Sequence, residues 1–130
     1  MTKTGESILV VDDEPTLLKM VSVYLGRLGY AVTAAGSTEE GWAAMAAAPE
    51  RFAIAVLDAT MSGIGVVDLA VEMMAANARL CVIVASGYPV DMTALDFAAP
   101  GRVMFLQKPF SPEMLAGAVR RMLATQEEGV

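Results

Sequence analysis

The chain has 130 residues, 55% of them hydrophobic, and a formal net charge of −6. That length corresponds to about one domain, and this apolar content is enough for one well-buried core. The net negative charge argues against binding to nucleic acid or anionic membranes, and the absence of histidine excludes an imidazole general base and a phosphohistidine of the chain's own.

The first half of the chain alternates apolar strands with amphipathic helices. A strand predicted at 8–11 is followed by a helix that starts near Pro15, a residue favoured at the first helical position, and that ends with a glycine cap at Gly29. A second strand at 30–35 precedes a helix that Ser37 opens as part of a capping box. Both helices therefore have start and stop signals of their own.

The third and fourth strands are the most hydrophobic. The run at 52–57 is apolar throughout, as expected for a central parallel strand that is buried on both faces, and it ends at Asp58. A glycine-bearing loop at 59–65 leads to a helix predicted at 66–77, and the fourth strand follows at 80–85. We expect these two strands to form the middle of a sheet.

The last third of the chain begins with its weakest helical signal. Within the segment 88–101, Pro89 and Pro100 bracket at most two helical turns at 91–98. We expect this segment to be the least rigid part of the domain. A fifth strand is predicted at 103–106. Ser111 then caps a last helix, which we expect to end at about residue 125, before a frayed tail at 126–130.

Two further sequence features indicate location and structural packing. No apolar run approaches the roughly 20 residues of a membrane-spanning helix, and the first six residues carry no secretory signal, so we expect a cytoplasmic protein without membrane contact. Cys81 is the one cysteine and lies inside an apolar run, which indicates a buried, inert thiol. Trp42 is predicted to be a packed helix residue.

Five strand and helix units in alternation predict an α/β fold, a doubly wound five-stranded parallel sheet with helices on both faces. In such sheets, ligands bind outside the carboxyl ends of the strands. Polar residues follow four of the five predicted strands: these are Asp12, Asp13, Asp58, Ser86 and Lys108. We therefore expect one functional site at this edge.

The chemistry of this predicted site follows from its charges. Carboxylates about 5 Å apart repel one another by roughly 3 kcal/mol per pair at an effective dielectric constant near 20, so the cluster must take up protons or bind a cation. Oxygen ligands without Cys or His favour magnesium, calcium or manganese, and magnesium best suits a site shared with a phosphate. Together with Lys108 and the Ser86 hydroxyl, a metal could neutralise a phosphoryl group while Asp58 attacks it.

Four short segments carry these polar residues: Leu-Val-Val-Asp-Asp-Glu at 9–14, Val-Leu-Asp-Ala-Thr-Met at 56–61, Val-Ala-Ser-Gly at 84–87 and Leu-Gln-Lys-Pro-Phe at 106–110. In this order, and at these strand ends, they resemble the signatures of response-regulator receiver domains of two-component phosphorelay signalling. The resemblance covers about residues 7–124. It implies a flavodoxin-like strand order 2-1-3-4-5 and a single receiver domain over 1–130, either stand-alone or part of a hybrid histidine kinase.

The resemblance also implies a role for each site residue. Asp58 would accept a phosphoryl group from a histidine kinase or a phosphotransfer protein, in a signalling domain that is not otherwise an enzyme. Asp13, Asp58 and the backbone carbonyl of Thr60 would hold Mg²⁺, with Asp12 assisting through water. Lys108 would contact the phosphate.

A switch is implied as well. Ser86 would supply a hydroxyl that moves toward the phosphorylated aspartate, and Phe105 would be the aromatic residue that turns inward behind it. The bond between Lys108 and Pro109 is expected to be cis. The change would reach the face formed by the fourth helix, fifth strand and fifth helix, through which two copies could also pair as a homodimer.

Two positions depart from the usual receiver pattern. The loop after the acceptor often has the sequence Met-Pro-Gly-Met-Asp-Gly, whereas residues 61–66 are Met-Ser-Gly-Ile-Gly-Val, so a stiffening proline and an acidic residue are missing. This difference bears on loop rigidity and phosphorylation lifetime. Phe105 has no hydroxyl, so it could pack inward but could not donate a hydrogen bond as tyrosine would.

Three other functions compete with the phosphoacceptor. A pseudo-receiver would keep the fold and signal without phosphorylation, which the retention of Asp58, Asp13 and Lys108 disfavours. A flavodoxin-like cofactor binder would need a hydroxyl- and glycine-rich loop after the first strand, where the acidic residues would repel a phosphate. An aspartyl phosphatase would usually need a second acid two residues beyond its nucleophile, where Thr60 stands.

Overall fold

The structure is a computed structural model that describes residues 6–61 and 65–128. Positions 62–64, where the loop after Asp58 departs from the receiver pattern, lie outside the described residues. The same holds for the last two residues of the predicted tail, 129–130.

Five strands and five helices alternate along the described chain. The strands are β1 (Ser7–Val11), β2 (Ala31–Ala35), β3 (Phe52–Asp58), β4 (Cys81–Ser86) and β5 (Val103–Gln107). The helices are α1 (Pro15–Arg27), α2 (Thr38–Ala47), α3 (Val66–Ala76), α4 (Thr93–Ala98) and α5 (Pro112–Glu128). Every predicted element is present, with ends that differ from prediction by a few residues.

All strands of the sheet run parallel, in the order β2-β1-β3-β4-β5. The predicted doubly wound, flavodoxin-like α/β fold is therefore confirmed. The chain moves outward from β1 to β2 on one side and then returns to place β3 on the other side of β1. This reversal puts the carboxyl ends of β1 and β3 next to each other at the switch point of the sheet, where such folds bind ligands.

The sheet separates two apolar cores. One core lies beneath α2, α3 and α4 and includes Met45, Leu69 and Leu95. The other lies beneath α1 and α5 and includes Leu25 and Leu115. Because side chains alternate between the two faces of a strand, β3 contributes to both cores, which is why its sequence is apolar without interruption.

The predicted helix caps are present in the structure. Gly29 has a φ of 101° and donates its N–H to the carbonyl of Gly26 at 3.0 Å, while Tyr30 donates to the carbonyl of Leu25, so α1 ends in a Schellman motif. The Ser37 hydroxyl accepts the N–H of Glu40 at 3.1 Å. At the start of α5, the Ser111 hydroxyl accepts the N–H of Met114 at the same distance, 3.1 Å.

Two boundaries differ from prediction by one residue, and a side-chain hydrogen bond to a backbone carbonyl lies beside each. The predicted third helix ended at Asn77, but α3 ends at Ala76 and the Asn77 carboxamide instead donates to the carbonyl of Phe52 at 2.9 Å. The predicted fourth strand began at Leu80, but β4 begins at Cys81. The Leu80 carbonyl accepts two hydrogen bonds from the Arg102 guanidinium, at 2.8 and 3.1 Å.

The last helix is longer than predicted, because α5 continues to Glu128 instead of ending at about residue 125. The fraying expected of the tail at 126–130 stays a prediction. The Gln126 carboxamide donates to the carbonyls of Ala53 and Arg79, both at 2.7 Å. These bonds fasten the last turn of α5 to the beginning of β3 and to the turn before β4. The low rigidity expected of 88–101 stays a prediction, although α4 lies within the two turns expected there.

Residues assigned structural roles are buried as expected. Cys81 is fully buried and unpaired, and its burial raises the pKa of its thiol. Trp42 is half-buried against the core beneath α2 and α3. Within the described part of the chain, no helix combines the length and the hydrophobicity that crossing a membrane requires.

A close approach between α2 and β1 requires glycine at one position. A Cβ atom on Gly41 would lie 2.8 Å from Cγ2 and 3.2 Å from Cγ1 of Val11. Val11 is 1% exposed, and its stiff β-branched side chain could move aside only by disturbing its packed neighbours. Gly41 therefore sets the distance between α2 and the strand that leads to Asp12.

We predict that Gly41→Ala destabilises the domain by about 1–3 kcal/mol, because the added methyl group overpacks the contact with Val11. The control is Gly26→Ala in α1, where a Cβ would meet nothing within 4 Å. That change should be neutral or stabilise by about 0.5 kcal/mol, through helix propensity. Urea unfolding of both variants measures the difference, and equal effects would contradict the steric explanation.

Candidate functional site

The carboxyl ends of four strands bring the predicted polar residues to one edge of the sheet. Asp58 is the last residue of β3 and Ser86 the last of β4, while Asp12 directly follows β1. Backbone hydrogen bonds continue the sheet past these ends: Asp12 donates to the carbonyl of Ala35 at 3.0 Å, and Lys108 donates to that of Ser86 at 2.8 Å. The site residues thus stand on the rigid rim of the sheet.

Three carboxylates meet at this edge. Asp12, Asp13 and Asp58 each offer an oxygen, and the three oxygens all lie within 4.8 Å of one another. Asp12 is 6% exposed and Asp58 is 3% exposed, whereas Asp13 faces solvent. Their mutual repulsion is therefore only weakly screened by water at two of the three positions.

Lys108 reaches across the site to two of these carboxylates. Its Nζ lies 3.2 Å from Oδ2 of Asp12 and 3.3 Å from Oδ1 of Asp58. Burial acts to lower the pKa of Lys108, but the two carboxylates outweigh it and raise the pKa, so the amine stays protonated. The peptide bond between Lys108 and Pro109 is cis, as the resemblance implied.

One lysine leaves the cluster with an excess of negative charge. Burial chiefly raises the pKa of Asp12, and the neighbouring charge of Asp58 acts in the same direction. The N–H of Glu14, which donates to Asp12 at 2.9 Å, and the Lys108 ammonium partly oppose this effect. A further positive charge at the cluster would therefore be favourable.

The donor set suits a hard divalent cation. Every candidate ligand atom is a carboxylate oxygen, on Asp12, Asp13 and Asp58, and neither Cys nor His is among them. Such a set favours Mg²⁺, Ca²⁺ or Mn²⁺ over zinc. The residues present therefore fit the magnesium ion that the sequence implied.

The Asp58 carboxylate is oriented through one of its oxygens. Its Oδ1 accepts the backbone N–H of Thr60 at 3.0 Å and the Thr60 hydroxyl at 2.8 Å, and it also faces Lys108. Among the described residues, no hydrogen bond goes to Oδ2. One oxygen is thus held in place while the other is available for chemistry.

The contribution of the Thr60 side chain was missed by the sequence analysis, which assigned only its backbone carbonyl. An aspartate followed two residues later by a turn N–H is an Asx turn, and this local pattern could have indicated the backbone bond. The hydroxyl bond depends on the rotamer that the turn imposes, which the sequence does not specify.

The two predicted switch residues lie on neighbouring strands, Ser86 at the end of β4 and Phe105 in the middle of β5. Ser86 is fully buried, and its hydroxyl accepts the N–H of Tyr88 at 3.2 Å. Phe105 is half-buried, pairs with Val84 across β4 and β5, and packs against the core that contains Leu95 of α4. Ser86 thus stands at the rim of the sheet, and Phe105 packs against the core on the side of α4.

Comparison with known proteins agrees with this geometry. A family model described as the response regulator receiver domain matches residues 8–120. The DNA-binding transcriptional regulator NtrC of Rhizobium meliloti (strain 1021) is 31% identical over 121 residues, which are 93% of this chain and 25% of that protein. The chain spans between a quarter and about half of the length of the first curated relatives it matches.

Solved structures show the same fold. A CheY-like response regulator receiver domain protein from Methanospirillum hungatei JF-1 superposes with a TM-score of 0.83 at 23% identity, covering 98% of this chain and all (100%) of the other. The response regulator TrrA from Thermotoga maritima, solved in complex with Mg²⁺-BeF, has a TM-score of 0.75 at 25% identity, with 90% of this chain and 98% of the other covered.

We predict that MgCl₂ raises the melting temperature of protein freed of metal with a chelator, because a cation relieves the repulsion among the three carboxylates. Free Mg²⁺ at a hundred times its Kd would stabilise the folded state by about 2.7 kcal/mol. Asp13→Asn should remove most of this rise, because it removes an exposed ligand without disturbing packing.

The matched control is Asp96→Asn, an exposed acid on α4 that should leave the rise unchanged. Differential scanning calorimetry at increasing MgCl₂ measures all three proteins. A wild-type melting temperature that does not respond to Mg²⁺, or an equal rise in the Asp13 variant, would contradict the assignment.

Proposed function

Because the chain belongs to the family of response regulator receiver domains, we propose that it is a phosphoacceptor. It would take a phosphoryl group onto Asp58 from a histidine kinase or a phosphotransfer protein, in the cytoplasm. One observation carries this proposal: Asp58, nearly buried at the end of β3, lies within 3.3 Å of the Lys108 ammonium and beside two more carboxylates. The whole described chain would act as a single receiver domain whose role is signalling rather than catalytic turnover.

The proposed reaction is an exchange of one bond to phosphorus for another. A carboxylate oxygen of Asp58 attacks the phosphorus in line, and the bond from phosphorus to the nitrogen of the partner's phosphohistidine breaks as the acyl phosphate forms. Lys108 would pair with a phosphoryl oxygen, since its ammonium already faces Asp58. The Ser86 hydroxyl, at the end of the neighbouring strand, would donate to another.

We propose that the reaction depends on Mg²⁺. Asp13, Asp58 and the backbone carbonyl of Thr60 would hold the ion, and Asp12 would assist through water. When bound, the ion supplies positive charge that neutralises phosphoryl oxygens. The oxygen-only donor set supports this, as does the Mg²⁺-BeF complex of TrrA from Thermotoga maritima.

The proposed output is a change at the face formed by α4, β5 and α5. α4 has only six residues, and Leu95 is its one fully buried side chain, so few apolar contacts oppose its displacement. Phosphorylation would draw the Ser86 hydroxyl toward Asp58 and let Phe105 turn inward. Two apolar side chains are exposed at this face, Phe97 at 89% and Met114 at 52%. They would contact a partner protein or, in a homodimer, a second copy of the chain.

We predict that incubation with Mg²⁺ and acetyl phosphate adds the mass of one phosphoryl group, because this donor is small enough to reach Asp58 at the rim of the sheet without the kinase. Asp58→Asn should abolish the adduct, since the amide cannot form an acyl phosphate, and Asp96→Asn should retain it. Intact-protein mass spectrometry provides the measurement. Absence of an adduct, both with acetyl phosphate and with a cognate kinase, would favour a module that signals without phosphorylation.

We also predict that Lys108→Ala weakens the link between phosphorylation and the surface change more than it weakens Mg²⁺ binding. Mg²⁺ binding should change little, because the lysine is not a metal ligand and its loss removes a competing positive charge from the cluster. The phosphoryl group, in contrast, would lose its contact with the residue that directly follows β5. Two measurements are needed: Mg²⁺ titration by thermal shift, and the change that beryllofluoride causes in the amide NMR spectrum. Losses of equal size in both would contradict this role.

A further inference from the structure

A second recognition feature lies between α2 and α3, away from the carboxylate cluster. It is a groove of about 300 Å³ lined by Thr38, Glu39, Trp42, Leu69 and Glu72. The α2 residues Thr38 and Trp42 are four positions apart, and the α3 residues Leu69 and Glu72 are three apart, so each helix presents one continuous stripe to the groove. Nothing in the proposed phosphotransfer reaction uses these side chains.

The groove combines an apolar floor with acidic walls. Leu69 is 1% exposed and Trp42 is half-buried, so both are well fixed by the core beneath them. The carboxylates of Glu39 and Glu72 stand in solvent at the edges. The buried Thr38 hydroxyl donates to Oε1 of Glu39 at 3.2 Å, which orients that carboxylate.

These acidic residues are part of an uncompensated field. α2 and α3 contain four acidic residues, Glu39, Glu40, Asp68 and Glu72, and no lysine or arginine, so they account for four of the six net negative charges. Among the residues that the structure describes, the ion pairs both involve Lys108, and Glu39 and Glu72 have no basic partner. The groove therefore attracts cations and repels anionic partners.

We propose that this groove docks an arginine-bearing segment of a partner protein. A guanidinium group is planar, so it can stack on the Trp42 ring while its N–H groups reach the carboxylates of Glu39 and Glu72. A purely apolar occupant would desolvate two carboxylates without compensation, and an anionic one would be repelled. Leu69, which is 1% exposed, would support the floor from beneath rather than contact the segment.

Trp42 is the one tryptophan of the chain, so its fluorescence reports directly on the groove. The probe is an acetylated and amidated hexapeptide, Leu-Arg-Ala-Leu-Arg-Ala, compared with the same peptide carrying citrulline, a neutral isostere, in place of arginine. We expect a saturable change in Trp42 emission with the arginine peptide and at least tenfold weaker binding of the citrulline peptide. Raising the salt concentration should weaken only the former.

The decisive variant is the double substitution Glu39→Gln and Glu72→Gln, which should weaken binding of the arginine peptide by about tenfold. Glu113→Gln, an exposed acid at the start of α5, is the matched control and should bind like the wild type. Thermal melts verify that all variants fold. Lack of a saturable signal, equal binding of both peptides, or an equal loss in the Glu113 variant would overturn the proposal. Asp58→Asn should bind normally, so this result is independent of phosphorylation.

Discussion

The pairing of a single lysine with crowded carboxylates is the interaction on which the site depends. Lys108 contacts Asp12 and Asp58 at once, and both acids are almost fully buried. Apolar residues at these positions would serve stability at least as well, because removing charges from water is costly. The charges are instead left under-compensated, so the folded domain offers negative charge that a divalent cation would neutralise, as the proposed Mg²⁺-dependent reaction requires.

The parallel sheet makes this arrangement possible. Its strands all end at one edge, so residues as far apart in sequence as Asp12 and Lys108 meet there. Both faces of the sheet are covered by apolar cores, which confine polar chemistry to the rim. Backbone hydrogen bonds that extend past the strand ends hold the rim residues, and the Gly41 contact fixes how closely α2 approaches β1.

Two different kinds of surface surround this rim. The face of α4, β5 and α5 carries the exposed aromatic Phe97 on the short, lightly anchored α4 and the exposed thioether Met114 on α5, which fits the proposed surface that changes with the state of the site. The groove between α2 and α3 is acidic, and its floor is fixed by buried residues. The face of α4, β5 and α5 could therefore respond to phosphorylation. The groove between α2 and α3 could select a partner by charge whether or not Asp58 is phosphorylated.

The sequence by itself determined the order and type of the elements. Burial on one face leaves a periodic apolar pattern, burial on both faces leaves an unbroken apolar run as in β3, and caps such as Ser37 and Gly29 act within a few residues. It also indicated which side chains share the rim, since the carboxyl ends of parallel strands coincide. Only the tertiary structure decided the Thr60 hydroxyl bond to Asp58, the fastening of Gln126 to Ala53 and the charge-flanked groove at Trp42. These features depend on rotamers and on atoms of distant segments, which no local pattern encodes.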